Sequence, residues 1–279
     1  MKVIYILFFL SFNVFANEWI DFEWAKETVD GTVIDKAAIL INIEGGDKLQ
    51  LDTGSPSSYL YQPHYQFKSK QKFNLTTTNG RLISEFFEMH KSASSKSNVV
   101  GTLGASYFKN SILIIDFAGR KLLKTDKLPE AYKKYSISYI EGQVTENLHI
   151  VTQVKIGNLE LAPVVFDTGS SIFKLVVNKK DWLSVVNPED RLAPKYMMKV
   201  NAWGRAVKLM GADSVAPICL GDICTKGKVF YTDDPQLDFS KAGLSGLVGN
   251  AILGDKYTLI LDYSNKKIGI LKTKLPSAL

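Results

Sequence analysis

Two aspartates with identical followers are the chemistry-bearing feature of this 279-residue chain: Asp52-Thr53-Gly54-Ser55 and Asp167-Thr168-Gly169-Ser170. Each copy follows an apolar, β-type run. One such tetrapeptide arises by chance in roughly one chain of this length in several hundred, so two copies point to a duplicated device. If the halves that carry them fold alike and face each other, Asp52 and Asp167 meet across an approximate two-fold axis. At about 3 Å and an effective dielectric near 20, two ionised carboxylates repel by roughly 5–6 kcal/mol, or about 4 pK units. Such a pair holds one proton over a wide acidic range. One oxygen then takes a proton from water while the other carboxyl donates to a carbonyl.

The elements that must position these groups are also duplicated. Ile39, Ile41 and Ile43 alternate with other residues, Gly45-Gly46-Asp47 supplies a turn, and Leu49-Gln50-Leu51 runs into Asp52. In the second half His149 to Ile156 reads as a strand, Gly157-Asn158 as the turn, and Leu159 to Phe166 as the return strand into Asp167. A hairpin pattern follows each motif, Phe73 to Met89 around Asn79-Gly80 and Met198 to Met210 around Trp203-Gly204. Then come Gly101-Thr102-Leu103-Gly104 before the apolar run Ser111 to Phe117, and Gly246-Leu247-Val248-Gly249 before Thr258 to Tyr263. Three matching features in the same order mark an internal repeat.

Two Asp-Thr-Gly-Ser motifs in this setting resemble the pepsin-like aspartic proteases, and a single one resembles the related retropepsins. The resemblance implies an all-β, bilobal fold of two similar β-barrel lobes related by a pseudo-two-fold axis, with the site in the cleft between them. It implies that Asp52 and Asp167 are the catalytic pair, that Thr53 and Thr168 cross-link the two loops, and that Gly54 and Gly169 allow the tight turn beneath the carboxylates. Ser55 and Ser170 would hydrogen-bond the outer carboxylate oxygens. In the family a first-lobe hairpin closes over substrate and usually carries a Tyr. Here Thr77, Thr78, Asn79 and Gly80 form the candidate flap, with Thr77 or a neighbour where that Tyr would stand. The Gly-containing segments resemble those that thread past the catalytic loops. Only 35 residues separate Ala16 from Asp52, so no conventional propeptide is expected.

Met1 to Ala16 has the layout of an export signal: Lys2, an apolar stretch from Val3 to Leu10, and Val14-Phe15-Ala16 at the cleavage point. Ser11 and Asn13 interrupt the run short of a membrane span, so no stable insertion is expected after cleavage. The division expected is a signal at 1–16, a first lobe at 17–128, a linker at 129–138 and a second lobe at 139–279, with short helices between Asn178 and Met198. The mature chain would be secreted or periplasmic and monomeric. Its net charge of +5 without Lys2 comes from scattered lysines, which gives no sign of a nucleic-acid partner.

Cys219 and Cys224 flank Leu220-Gly221-Asp222-Ile223. With Gly221-Asp222 as a two-residue turn the cysteines face each other at a close, non-hydrogen-bonded rung, which suits a disulfide in an exported chain. His64, His90 and His149 are far apart and lack metal-ligand spacing, so neither a metal nor another cofactor is expected. The function these features lead to is an exported aspartic endopeptidase acting on peptide or protein substrates. The alternative is a silent binding or inhibitor module on the same fold.

Overall fold

The computed structural model describes residues 19–29, 31–91, 98–202 and 205–272, with backbone alone for 201–202. The export-signal stretch and the Trp203-Gly204 turn lie outside the described residues. The chain is mostly β, with a few short helices.

The first half builds a seven-stranded sheet in the order Glu23–Trp24, Ile39–Asn42, Lys48–Asp52, Val99–Gly104, Ser58–Gln62, Leu82–Lys91, Gln71–Thr76. Period-two alternation fixes its register. Leu49 and Leu51 are fully buried while Lys48 and Gln50 reach toward solvent, and a slip of one residue would reverse both. Ile39, Ile41, Leu60, Ile83 and Phe87 complete this inner face.

The second half repeats the central four strands in the same order: Ile150–Ile156, Leu159–Asp167, Gly246–Gly249 and Leu175–Val177. In both halves the strand that ends in aspartate pairs in parallel with the Gly-containing strand, Asp52 opposite Gly104 and Asp167 opposite Gly249. Beyond these four the halves diverge. Leu82–Lys91 pairs in parallel with Ser58–Gln62, whereas Lys228–Tyr231 takes that place beside Leu175–Val177. The hairpin Tyr196–Ala202 and Arg205–Asp213 is thereby displaced one strand outward. The two hairpins that match in sequence therefore occupy different sheet positions.

The halves meet in a six-stranded sheet ordered Ile20–Asp21, Lys121–Thr125, Ile112–Asp116, Thr258–Asp262, Lys267–Leu271, Ser138–Ile140. Its central antiparallel pair is symmetric about Ile114 opposite Ile260, with Ile112 facing Asp262 and Asp116 facing Thr258. Tyr132, on the short helix Glu130–Lys133 within the stretch expected to be a linker, is fully buried against Ile112, Ile114, Leu123 and Ile260.

The expected closed barrels do not form: among the described residues every sheet is an open path. The hairpin Gln71–Thr76 and Leu82–Lys91 curls back toward Ile39–Asn42, but contact is limited to the single bridge between Ile43 and Thr77. A similar isolated bridge joins Val186 to Ser214 in the second half. One bridge cannot continue a ladder, so the edge strands remain edges.

The expected short helices occupy Lys179–Val185 and Pro188–Leu192. The first is seated by Trp182, fully buried, whose indole N–H donates to the Val229 carbonyl at 2.9 Å. Cys219 and Cys224 are paired opposite each other in the hairpin Ile218–Leu220 and Ile223–Thr225, at a Cα separation of 4.1 Å, and are joined as a disulfide. The bridge encloses four residues, so chain-entropy arithmetic limits its contribution to about 2 kcal/mol. Replacing both cysteines by serine is accordingly expected to lower the melting temperature only slightly, and calorimetry with and without reductant checks this. Among the described residues no helix is long and apolar enough to cross a membrane.

Candidate active site

Asp52 and Asp167 are each the last residue of a strand, where the ladder ends and the backbone turns. The glycines opposite them are required by close passage. A Cβ on Gly104 would lie 2.2 Å from the Ser57 carbonyl oxygen, and one on Gly249 would lie 1.9 Å from that of Ser170. Each Asp-Thr-Gly-Ser loop is thus clamped by its Gly strand. Ala105 N–H donates to the Ser55 carbonyl at 2.8 Å, and Asn250 N–H donates to that of Ser170 at 3.1 Å.

The two loops are then cross-linked. Thr53 N–H donates to Thr168 Oγ1 at 2.9 Å, and Thr168 N–H donates to Thr53 Oγ1 at 3.1 Å. Both threonines are fully buried. Removing either hydroxyl leaves a buried N–H without its acceptor, at a cost of about 1–3 kcal/mol. Thr53→Val and Thr168→Val are each expected to destabilise the chain by that amount in chemical denaturation, whereas Thr→Ser at either position is expected to be close to neutral.

The exchange continues at the carboxylates. Gly54 N–H reaches across to Asp167 Oδ1 at 3.1 Å, and Gly169 N–H donates to the same oxygen at 2.7 Å. Ser55 N–H donates to Asp52 Oδ1 at 3.0 Å. Asp167 is near enough to Asp52 for its charge to bear on it. Desolvation, then the charge of Asp167, holds Asp52 well above the ordinary carboxylate range. Desolvation also raises Asp167, but the Gly169 and Gly54 N–H groups and the charge of His149 oppose it. The two carboxyls accordingly titrate as one pair, above the ordinary carboxylate range.

The serines depart from expectation. The Ser55 hydroxyl donates to the Ser57 carbonyl at 2.7 Å instead of to a carboxylate, because that carbonyl lies within reach at the bend of the loop. Ser170 supports its loop through the backbone, its N–H donating to the Asp167 carbonyl at 3.3 Å. The candidate flap is tied to neighbouring segments. The Asn79 amide donates to the Trp19 carbonyl at 3.0 Å and to Asp21 Oδ2 at 3.2 Å, and Thr78 N–H donates to the Asn42 carbonyl at 3.1 Å. Thr77 is buried, its hydroxyl bonded to Asn79 Oδ1 and accepting from Arg81 N–H, and Gly80 N–H closes the turn onto the Thr77 carbonyl. Behind this tip lies a cavity of about 270 Å³ lined by Ile20, Gly80, Arg81, Leu82, Tyr107 and Lys124, with neither aspartate in its wall.

Several contributors are not singled out by the motifs. Asn250, directly after the second Gly strand, donates its side-chain amide to the Thr168 carbonyl at 2.8 Å and to Ser171 Oγ at 2.9 Å. Tyr263 is buried beside the pair, and burial together with the charges of Asp52 and Asp167 raises its phenol above the ordinary range. Burial likewise raises Tyr61, which also feels the charge of Asp52 and shares a hydrogen bond with Thr102. The position of Asn250 beside Gly249 was the available signal for it; that of Tyr263, at the end of an apolar run, gave none. Among the described residues no group of His, Cys, Asp and Glu side chains could hold a metal ion.

No protein-family model matches the chain, and no curated protein matches it. Among solved structures it is similar to basic 7S globulin from soybean, with a TM-score of 0.47 and 10% identity over 92% of this chain and 96% of that one.

Proposed function

We propose that the chain is an exported aspartic endopeptidase whose site is the Asp52–Asp167 pair, held in a cleft between lobes formed by residues 17–128 and 139–279. The observation that carries this reading is the exchange between halves: Gly54 of one loop donates to the carboxylate of the other, and the Thr53 and Thr168 hydroxyls accept each other's N–H groups. Such a reciprocal link has no use for an isolated surface carboxylate. In this reading it holds the two carboxyls together, so that they share one proton.

In this reading a water molecule lies against both carboxyls. The ionised carboxyl of the pair takes a proton from the water as its oxygen attacks the peptide carbonyl carbon. The protonated carboxyl donates its proton toward the carbonyl oxygen, giving a tetrahedral diol. Collapse of that diol with proton transfer to the amide nitrogen breaks the C–N bond and releases an acid and an amine, with no acyl-enzyme. The N–H groups of Gly54 and Gly169 hold Asp167 in place throughout. A silent binding module remains the second reading, and one observation favours it: the hairpin expected to close over substrate has its tip fastened to Trp19, Asp21 and Asn42.

Digestion of an acid-unfolded protein by the chain across pH 3–6 separates the two. The endopeptidase reading expects internal cleavage with a bell-shaped pH dependence that pepstatin suppresses. Intact substrate at every pH, from a chain verified as folded, would favour the binding module.

A further inference from the structure

The six-stranded sheet carries a lysine on its inward face. In the strand Lys121–Thr125, Leu122 lies opposite Ile115 and Lys124 opposite Leu113, and Leu113, Ile115 and Leu122 are all fully buried in the main core. Alternation turns the half-buried Lys124 to the same side, where an apolar side chain would be the ordinary choice. A lysine so placed lays its stem along apolar neighbours and carries its charge to the nearest opening. That opening is the cavity of about 270 Å³ behind the hairpin tip, with Lys124 in its wall. The ammonium stands 4.0 Å from the centre of the Tyr107 ring. Among the described residues no carboxylate forms an ion pair with it. Glu85 and Asp126 act on it through their charge, but the Glu85 carboxylate is engaged by the Ser106 hydroxyl at 3.0 Å. The cation is thus partly removed from water without an anion in contact.

Arg81 brings a second cation to the same cavity from the hairpin. Its backbone is pinned twice to Thr77: its N–H donates to Thr77 Oγ1 at 2.9 Å, and its carbonyl accepts from Thr77 N–H at 2.8 Å. A guanidinium has five N–H donors, so it can serve a ligand and its own neighbours together. Ile20 and Leu82 add aliphatic wall, and no acidic residue lines the cavity. We propose that this cavity binds an aliphatic carboxylate, held at its charged end by Lys124 and Arg81 and along its stem by Ile20 and Leu82. The carboxylate is either the acidic side chain of a peptide or a free short-chain acid. The cavity is smaller than the roughly 300–1,000 Å³ of ordinary small-molecule pockets, so one short chain fills it. A bound carboxylate ties the hairpin tip to the strand Lys121–Thr125, because Arg81 belongs to one and Lys124 to the other. The inference goes beyond the endopeptidase reading and does not depend on it, since neither aspartate is in the wall.

The test is amide NMR titration of the folded, full-length chain at neutral pH and about 0.15 M salt, where scattered surface charges are screened. The probes are butyrate, inorganic phosphate, the capped peptide acetyl-Gly-Gly-Glu-Gly-Gly-amide and its counterpart with Gln in place of Glu. The expected result is saturable shifts at Gly80, Leu82 and Lys124 with butyrate or the Glu peptide, and none with phosphate or the Gln peptide. Binding of the peptide alone identifies a peptide as the source of the carboxylate, and binding of butyrate alone identifies a free acid. Lys124→Met and Arg81→Gln should each weaken binding by about tenfold or more, as expected for loss of one charge-assisted partner. Asp52→Asn should leave binding unchanged. No saturable shift with either carboxylate, equal binding of phosphate or of the Gln peptide, or undiminished binding in either cavity variant overturns the site. The probes on the native chain decide the matter even where a variant fails to fold, and none of these outcomes bears on the aspartate pair.

Discussion

Asp52→Asn and Asp167→Asn are each expected to reduce acid-pH cleavage by about 10²–10⁴-fold, the usual contribution of a positioned acid or base, while the chain becomes more stable. The loss follows because the pair must both take a proton from water and surrender one to the carbonyl, and an amide at either position can do neither. Geometry is retained, since an asparagine oxygen still accepts the Gly54 and Gly169 N–H groups. The gain in stability has a definite pH sign. Both carboxyls are raised in the folded chain, chiefly by desolvation, so the folded state keeps protons that the unfolded chain releases near pH 4. Stability therefore falls as pH rises from there through the folded values, and the neutral amide escapes that fall. Melting temperatures of native and variant chains should lie close together at pH 3 and separate toward pH 7, with the variants higher. Equal melting curves at both pH values would contradict burial of the pair.

Gly54→Ala and Gly169→Ala are expected to damage the stability of the chain and its cleavage activity together. A Cβ on Gly54 would lie 2.6 Å from Asp167 Cγ, and one on Gly169 would lie 2.6 Å from Asp52 Cγ. Neither contact can relax cheaply, because each carboxyl is held by backbone N–H groups. Overpacking of this kind costs about 1–3 kcal/mol or more. It also pushes the two carboxyls apart, so cleavage should vanish even in the fraction that folds. Gly243→Ala, just after the short turn Phe239–Ala242, where a Cβ meets nothing within 4 Å but φ is +69°, should cost stability through backbone strain while leaving cleavage by the folded fraction intact. Denaturation curves and cleavage rates for the three variants separate the two mechanisms.

The contrast between those glycines shows what could be read from the sequence. Strand, turn, strand and aspartate were legible twice because alternation such as Leu49-Gln50-Leu51 is a local signal, and the cysteine hairpin was legible because Gly221-Asp222 sets its own register. The Gly104 and Gly249 segments were legible as a repeat, and their parallel pairing with the aspartate strands gives that repeat its purpose. What escaped depends on partners distant in sequence. Lys228–Tyr231 enters the second sheet beside Leu175–Val177 and moves the matching hairpin outward, which no local pattern in either segment encodes. Open sheets in place of closed barrels follow from how far the hairpin curls, a matter of one bridge at Thr77. The Ser55 hydroxyl chooses the Ser57 carbonyl over a carboxylate by loop geometry alone.

Calorimetric titration of the folded chain with pepstatin at pH 4 tests most directly whether the carboxyls from the two halves make one site. One inhibitor molecule bound per chain, with binding abolished by Asp52→Asn and by Asp167→Asn alike, is the predicted result. No binding to the native chain, or binding that survives either substitution, would contradict it.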